Sequence, residues 1–431
     1  MPPTQFFPNT PVPPDKFVGR ISELYTIFDQ INNRGHSAIY GSSGMGKSSL
    51  LKYIQSPNFW QEKGLDFSEA LIVYHDCNVS LTPNGFWQEV LKELRDKAQG
   101  DTDLQGKIDD VLKLERIEVR DIRQILREIG KRDKFLLLLL DDYHGILRTE
   151  DDYINNLEKS REMQTFLSGL RNLAVHSTEG QYFSTVVAAF RKLDELGPKL
   201  PRGGSPWYNH YLYVDLKPFN QEDIDKYFFH SDGDFFISIP DNIQKEKVLE
   251  MTGGCPILLQ HAGHVLSQSD RGIDINTFKA RFKNQTEQIF KDIWKDLTED
   301  EQKLLLLIVI KNSKGELSGD RYSVDDIDKV FGSNKNILTD LQQQGVIYEL
   351  SEQKKYNFYS SLMQDLVVQE FAESISEPKK RKILFDISGI KITAQQLEEI
   401  KENTSFFLKI GRPILKIFSG FIPFNKSEEK E

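Results

Sequence analysis

At 431 residues the chain has room for about two to three domains and a sizeable buried core, which excludes a peptide-sized or disulfide-stapled scaffold. Hydrophobic residues at 39% and charged residues at 28% exclude both wholesale disorder and a polytopic membrane protein. The net charge of -10, from 55 Lys+Arg against 65 Asp+Glu, opposes a general attraction to nucleic acid or anionic membrane, so any such binding needs a local patch.

The N-terminus, MPPTQFFPNTPVPPDKF, is proline-rich and has no basic stretch followed by an apolar one. It reads as an extended arm over residues 1–16 and not as a signal peptide. A short β-prone run at 37–40 leads into GSSGMGKSSLLKYI, where glycines give way to a helical pattern ending near Ile54. A second strand is expected at 70–75, then helical periodicity from Phe86 to about Ile129 with a break near Gly100. The unbroken apolar run 135–140 has the pattern of a strand buried on both faces of a parallel sheet, and further strands are expected at 184–190 and 210–216. Five strands alternating with helices predict a three-layer α/β parallel-sheet domain, placed at residues 17–216.

From Pro218 the pattern turns helical, with stretches at 221–230, 244–251 and 256–267, which predicts a small helical lid over 217–295. Helical stretches at 298–310, 324–331 and 335–344, then β-like pieces at 346–350 and 355–359 around SEQK, predict a winged helix over 296–375. A tail, 376–431, follows with the basic run KKRK. Cys77 and Cys255 fit no metal or redox spacing and read as reduced, structural thiols of a cytosolic protein.

Gly41, Gly46, Lys47 and Ser48 satisfy G-x-x-x-x-G-K-S/T between a strand and a helix, the setting a phosphate loop requires. Backbone N–H groups must wrap a polyanion closely there. Glycines at 41, 44 and 46 allow this by avoiding Cβ clashes and admitting positive φ. Ser43, Gly44, Met45 and Ser49 belong to the same cradle. Lys47 supplies a point charge to the β- and γ-phosphates, Ser48 a hydroxyl to Mg²⁺, and the helix its positive N-terminal end. The ligands implied are ATP or ADP with Mg²⁺.

The run FLLLLLDD ends an apolar strand in two carboxylates. Asp141 at its tip is the candidate to hold Mg²⁺ through water, and Asp142 the candidate to orient an attacking water. A solvated strand terminus is the plain alternative.

In order along the chain these motifs resemble the STAND branch of AAA+-related P-loop ATPases. FVGRISEL looks like that family's box before the first strand, which by resemblance lies along the adenine through Phe17, Val18 and Arg20. STVVAAFRK puts Arg191 at the family's sensor of the γ-phosphate. GGSPWYN and VDLKPFNQEDI resemble the entry to the lid, and GGCPILL its glycine-proline motif, in which Pro256 would pack on the nucleotide. Many AAA+ enzymes have Glu where this chain has Asp142, and the double Asp implies a slow timer. Gln364 stands where some relatives carry a histidine that senses the diphosphate. Arg171 reads as a helix-surface arginine, with a finger on a neighbour's nucleotide as the alternative. Arg191 as a surface arginine, Phe17 and Val18 as plain core, and Pro256 as an N1 proline are the corresponding structural alternatives.

Residues 296–371 carry eight Lys+Arg against fourteen Asp+Glu, and the presumed recognition helix, NKNILTDLQQQG, has one lysine and no arginine, which opposes DNA binding. Residues 378–431 carry eleven basic against seven acidic residues. Lys409, Arg412 and Lys416 share one helical face there and Phe407, Ile410, Ile414, Phe418 and Phe421 the other, bent at Gly411 and Pro413. This stretch reads as a membrane-surface or partner-docking helix, or as one packed back on the chain itself. Three functions compete: an ATP-dependent conformational switch acting with an unknown protein partner or a second copy, an ATP-loaded DNA-binding protein resembling replication initiators, and a membrane-surface effector acting through the tail.

Overall fold

Apolar runs with no polar interruption need cover on both faces, and in the computed structural model they become the inner strands of a parallel sheet. The structure describes residues 6–79, 82–148, 153, 156–198, 206–240, 243–268, 273–313, 324–350 and 355–376. They fall into two compact units. One holds Thr10–Ser42 and Gly46–Leu216; the other holds the chain up to Asn9, Ser43–Met45, and the chain from Lys217.

In the first unit the elements run α1 (Ile21–Asn32), β1 (His36–Tyr40), α2 (Lys47–Ile54), α3 (Pro57–Lys63), β2 (Ala70–Asp76), α4 (Pro83–Lys97), α5 (Thr102–Leu112), α6 (Val119–Gly130), β3 (Phe135–Asp141), α7 (His144–Leu147), α8 (Leu157–Arg171), β4 (Phe183–Ala189) and β5 (Tyr211–Asp215). The sheet order is β2-β3-β4-β1-β5, with every pair parallel. Every residue of β1, β3 and β4 is buried, whereas the edge strand β5 exposes Leu212. Helices α4, α5, α6 and α8 cover one face in a core that includes Trp87, Leu94, Ile125, Leu138 and Phe166. Helix α1 packs on β1, β4 and β5, and α2 on β3 and β4. The helical stretch expected to break once near Gly100 breaks twice. Asp101 caps α5 by accepting from Leu104 N–H at 2.9 Å, and a reciprocal Glu118/Asp121 box starts α6.

The second unit runs α9 (Gln221–Ile224), which continues into a π-helical turn at Asp225–Phe229, then α10 (Lys245–Thr252), α11 (Pro256–Ser267), α12 (Ile275–Asp296), α13 (Glu299–Asn312), α14 (Val324–Ser333), α15 (Lys335–Gln343), β6 (Ile347–Leu350), β7 (Lys355–Phe358) and α16 (Ser361–Ser376). Strands β6 and β7 pair antiparallel, and α16 packs on α10, α12 and α13. Helix α12, 22 residues long, was not expected from the sequence; it buries only Phe278, Phe282, Thr286 and Phe290, a single narrow stripe on a polar helix. The arm expected at the N-terminus is anchored here. Phe6 is buried, the Phe7 N–H donates to Gln260 Oε1 at 2.9 Å, and the Phe7 ring meets Phe235 edge-on. Among the described residues no helix is long and apolar enough to cross a membrane. The SEQK turn, the first part of GGSPWYN, the KKRK run and the whole amphipathic stretch with Lys409, Arg412 and Lys416 lie outside the described residues.

Candidate functional site

The phosphate-loop motif starts where β1 ends. Gly41 turns the chain with its Cα against β5's exit, so that a Cβ there would lie 2.6 Å from the Leu216 carbonyl oxygen. Gly46 has open space around it, but its φ of 90° is a left-handed value that only glycine adopts without strain. Gly44 meets both demands: φ is 84°, and a Cβ would stand 2.2 Å from Ile257 Cγ2. Lys47 opens α2, is 8% exposed, and donates from Nζ to the carbonyls of Gly41 at 2.7 Å and Ser42 at 3.0 Å. Ser48 is half-buried in the first turn of α2. The Ser49 hydroxyl accepts the Val12 N–H at 3.0 Å, which ties the proline-rich arm to this helix.

The tip of the loop, Ser43–Met45, belongs to the second unit. There the Gly44 carbonyl accepts the Ile257 N–H at 3.2 Å, and the Cys255 thiol lies 3.8 Å from the same oxygen. Pro256 occupies the N1 position of α11, so Ile257 is the first residue of that helix with an N–H to give. Met45 is buried, and a Cβ on Gly345 would stand 3.0 Å from its Cε.

In the first unit β4 runs between β1 and β3, so the C-terminal ends of all three meet at one sheet edge. That edge collects the loop after β1, the acid pair at the end of β3 and the Arg191 turn after β4. Asp141 Oδ2 accepts the Tyr74 hydroxyl at 2.6 Å, and Oδ1 accepts the Asp142 N–H at 3.0 Å. Asp142 Oδ2 accepts from Asn78 Nδ2 at 2.9 Å, with the Asp142 backbone held at φ 44°. Burial, and then the charge of Asp141, raise the Asp142 carboxyl above the ordinary carboxylate range, opposed by His144 and by Lys47. Burial lowers His144, opposed by the Asp142 charge. Lys47, Asp142 and His144 thus lie within electrostatic reach of one another. Arg191 is 7% exposed, pairs with Glu195 at 3.0 Å and lies near the Phe190 ring, so it is no surface arginine.

The box residues lead into α1. Phe17 stacks on Tyr53 of α2 with centroids 4.7 Å apart, and Val18 is half-buried beside it in sequence. Arg20, at φ 60°, is buried and holds Glu23 at 3.1 Å. Arg171 ends α8 and its charge acts on His210, just before β5, at the opposite end of the strands from the phosphate loop. Gln364 is half-buried on α16. Tyr74, Asn78 and His144 were not singled out from the sequence; the only signal they left was polarity next to buried strand ends. Cys77 and Cys255 are both buried thiols outside any disulfide.

Ser48 and Asp141 offer hard oxygen donors, and no three His, Cys, Asp or Glu side chains gather into a metal cage among the described residues. This donor set fits Mg²⁺, which keeps most of its waters and takes its remaining ligands from phosphates and one or two side chains.

Residues 30–182 match the family described as an AAA domain. No curated protein sequence matches the chain. In fold it is similar to the Walker-type ATPase PABY2304 of Pyrococcus abyssi, at 16% identity and a TM-score of 0.51, over 84% of this chain and 99% of the other. It also aligns with the ORC2 protein of Aeropyrum pernix in ADPNP and ADP complexes, at 10% identity and a TM-score of 0.49, over 86% and 98% of the two chains. With Cdc6p of Pyrobaculum aerophilum the values are 12% and 0.40, over 94% and 97%. The chain carries a P-loop α/β fold, a parallel five-stranded sheet with flanking helices, followed by a helical C-terminal region.

Proposed function

We propose that this chain is a nucleotide-operated conformational switch of the STAND type, which binds ATP with Mg²⁺ at the phosphate loop and hydrolyses it slowly. The observation that carries this reading is the hydrogen bond from Ile257 N–H to the Gly44 carbonyl, because it ties the tip of the phosphate loop to the first turn of α11. A ligand that reshapes the loop then favours one arrangement of the helical residues by its differential affinity.

In this reading Lys47 neutralises the β- and γ-phosphates, the N–H groups of Ser43 to Ser49 cradle them, and Ser48 and Asp141 hold the ion. Magnesium supplies charge neutralisation of the transferring phosphoryl group. Asp142 orients the attacking water, Arg191 gives up part of its pairing with Glu195 to meet the γ-phosphate, and Phe17, Val18 and Arg20 line the adenine. Hydrolysis resets the switch. Charge favours this reading over DNA binding, since residues 296–371 hold eight basic against fourteen acidic side chains.

Calorimetry with ATP and MgCl₂ on the wild-type chain and on Lys47→Ala tests the site: binding by the first and not by the second is expected, and equal affinity would sink it. Single-turnover hydrolysis measures the timer. Titration of duplex DNA at low salt tests the competing reading, which tight, steeply salt-dependent binding would restore.

A further inference from the structure

Tyr74 is the one residue within the first six of β2 that is not fully buried, and the strand register sets it opposite Leu139 of β3. From there its hydroxyl reaches the strand's end and donates to Asp141 Oδ2 at 2.6 Å. An ionised carboxylate only accepts, so the proton belongs to the phenol. The other oxygen, Oδ1, is occupied by the Asp142 N–H at 3.0 Å. With one bond on each oxygen the carboxylate plane is fixed, although this terminal torsion is otherwise broad and nearly free for an aspartate. Each oxygen keeps a second lone pair for a further donor. A ring that served only to fill space would not need the hydroxyl.

We propose that Tyr74 is a positioning residue for the magnesium ion of this site: acting through Asp141, its phenol holds the carboxylate in the one orientation that offers a fixed acceptor to the ion's water. The inference rests on the nucleotide-site reading given above. Partners that orient a metal's ligand are worth about 10- to 100-fold in metal affinity.

The test is Tyr74→Phe in the full-length chain, which keeps the ring and deletes only the hydroxyl. ATP affinity is measured by calorimetry in EDTA and across a MgCl₂ titration. The expected result is an affinity in EDTA within about twofold of wild type, with the Mg²⁺ concentration at half effect raised about tenfold. In an Asp141→Asn background Tyr74→Phe adds no further shift, because the residue it acts through has changed. An unchanged or lowered Mg²⁺ midpoint overturns the inference. So does an equal loss with and without the ion, which marks a structural role, and so does an undiminished shift in the Asp141→Asn background. If wild type binds no ATP under either condition, the nucleotide-site reading falls and this inference with it; if wild type binds and Tyr74→Phe is unshifted, only the inference falls.

Discussion

Lys47 Nζ donates to the Gly41 carbonyl oxygen at 2.7 Å, closing the phosphate loop on itself across six residues. The same ammonium reaches the Ser42 carbonyl, so a phosphate that binds here competes with two backbone acceptors for one charge.

Replacing Lys47 therefore separates affinity from folding. Lys47→Met, which keeps most of the aliphatic stem, is expected to lose about 100-fold in ATP affinity, the worth of one or two charge-assisted hydrogen bonds. Its thermal midpoint without nucleotide stays within a few degrees of wild type. Saturating ATP and MgCl₂ raise the midpoint of wild type and raise that of the variant much less, which differential scanning fluorimetry reads directly.

Asp142 sits at φ 44°, a left-handed conformation that Asp and Asn tolerate better than longer side chains. Lengthening the acid to match the commoner glutamate should not produce a faster enzyme. Asp142→Glu is expected to lower stability by about 1 kcal/mol in urea unfolding and to leave single-turnover hydrolysis no faster than wild type. Asp142→Asn keeps the backbone and the Asn78 contact and slows turnover by tenfold or more, with ATP affinity retained. A large rate gain in Asp142→Glu would contradict the assigned geometry.

Acid sensitivity should arise at the far end of the strands. His36 Nδ1 meets Thr185 Oγ1 at 2.8 Å, and its ring is surrounded by Phe183, Tyr211 and His210. Burial, and then His210, hold His36 down to about 3; burial, partly offset by a Trp207 backbone bond and reinforced by the Arg171 charge, holds His210 down to about 4. The unfolded chain binds these protons near pH 6.5 and the folded chain does not, so stability is full above that pH and falls as pH drops through the window down to 3–4. The slope is about 1.4 kcal/mol per pH unit for each imidazole. Urea midpoints between pH 7.5 and 5 should fall steeply for wild type and about half as steeply for His36→Asn.

Phe6 and Gly263 form a size-matched pair in the second unit: a Cβ on Gly263 would stand 2.1 Å from Phe6 Cε1. Gly263→Ala improves helix propensity by about 1 kcal/mol in isolation, yet here it should destabilise by about 1–3 kcal/mol through overpacking. Phe6→Ala is destabilising too, because it empties the notch. The double variant Phe6→Ala/Gly263→Ala should be more stable than Phe6→Ala alone, and chemical unfolding of the four proteins settles whether the arm is docked on α11.

The strands were legible because their sequence signal is local. β3 is six consecutive apolar residues ending in acid, and no other cover suits such a run than a sheet with helices on both sides. Helix α2 was legible too, since the glycines that give way to it mark its beginning and the apolar pattern running to about Ile54 its length. Helix α12 was not, because its buried positions, Phe278, Phe282, Thr286 and Phe290, are diluted by lysines and acids that serve only its solvent face. Tyr74 and Asn78 escaped notice for a different reason. Their significance is a hydrogen bond to the acid pair at the end of β3, and nothing in the spacing of β2 or of the turn after it predicts which polar residue will meet Asp141 or Asp142.

The amino-acid order alone determined the local conformations: which runs become strands, where glycine admits a left-handed turn, and that a lysine and serine follow that turn at a helix start. Those outcomes depend on residue type and on interactions within a few residues. Only the tertiary structure decided that β4 lies between β1 and β3, which brings Arg191 to the same edge as the phosphate loop and the acid pair. It alone paired Gly44 with Ile257, Tyr74 with Asp141 and Phe6 with Gly263. The reason is that such contacts are selected by the close packing of whole faces, where each side chain must find a partner of matching size and hydrogen-bonding capacity from a distant part of the chain.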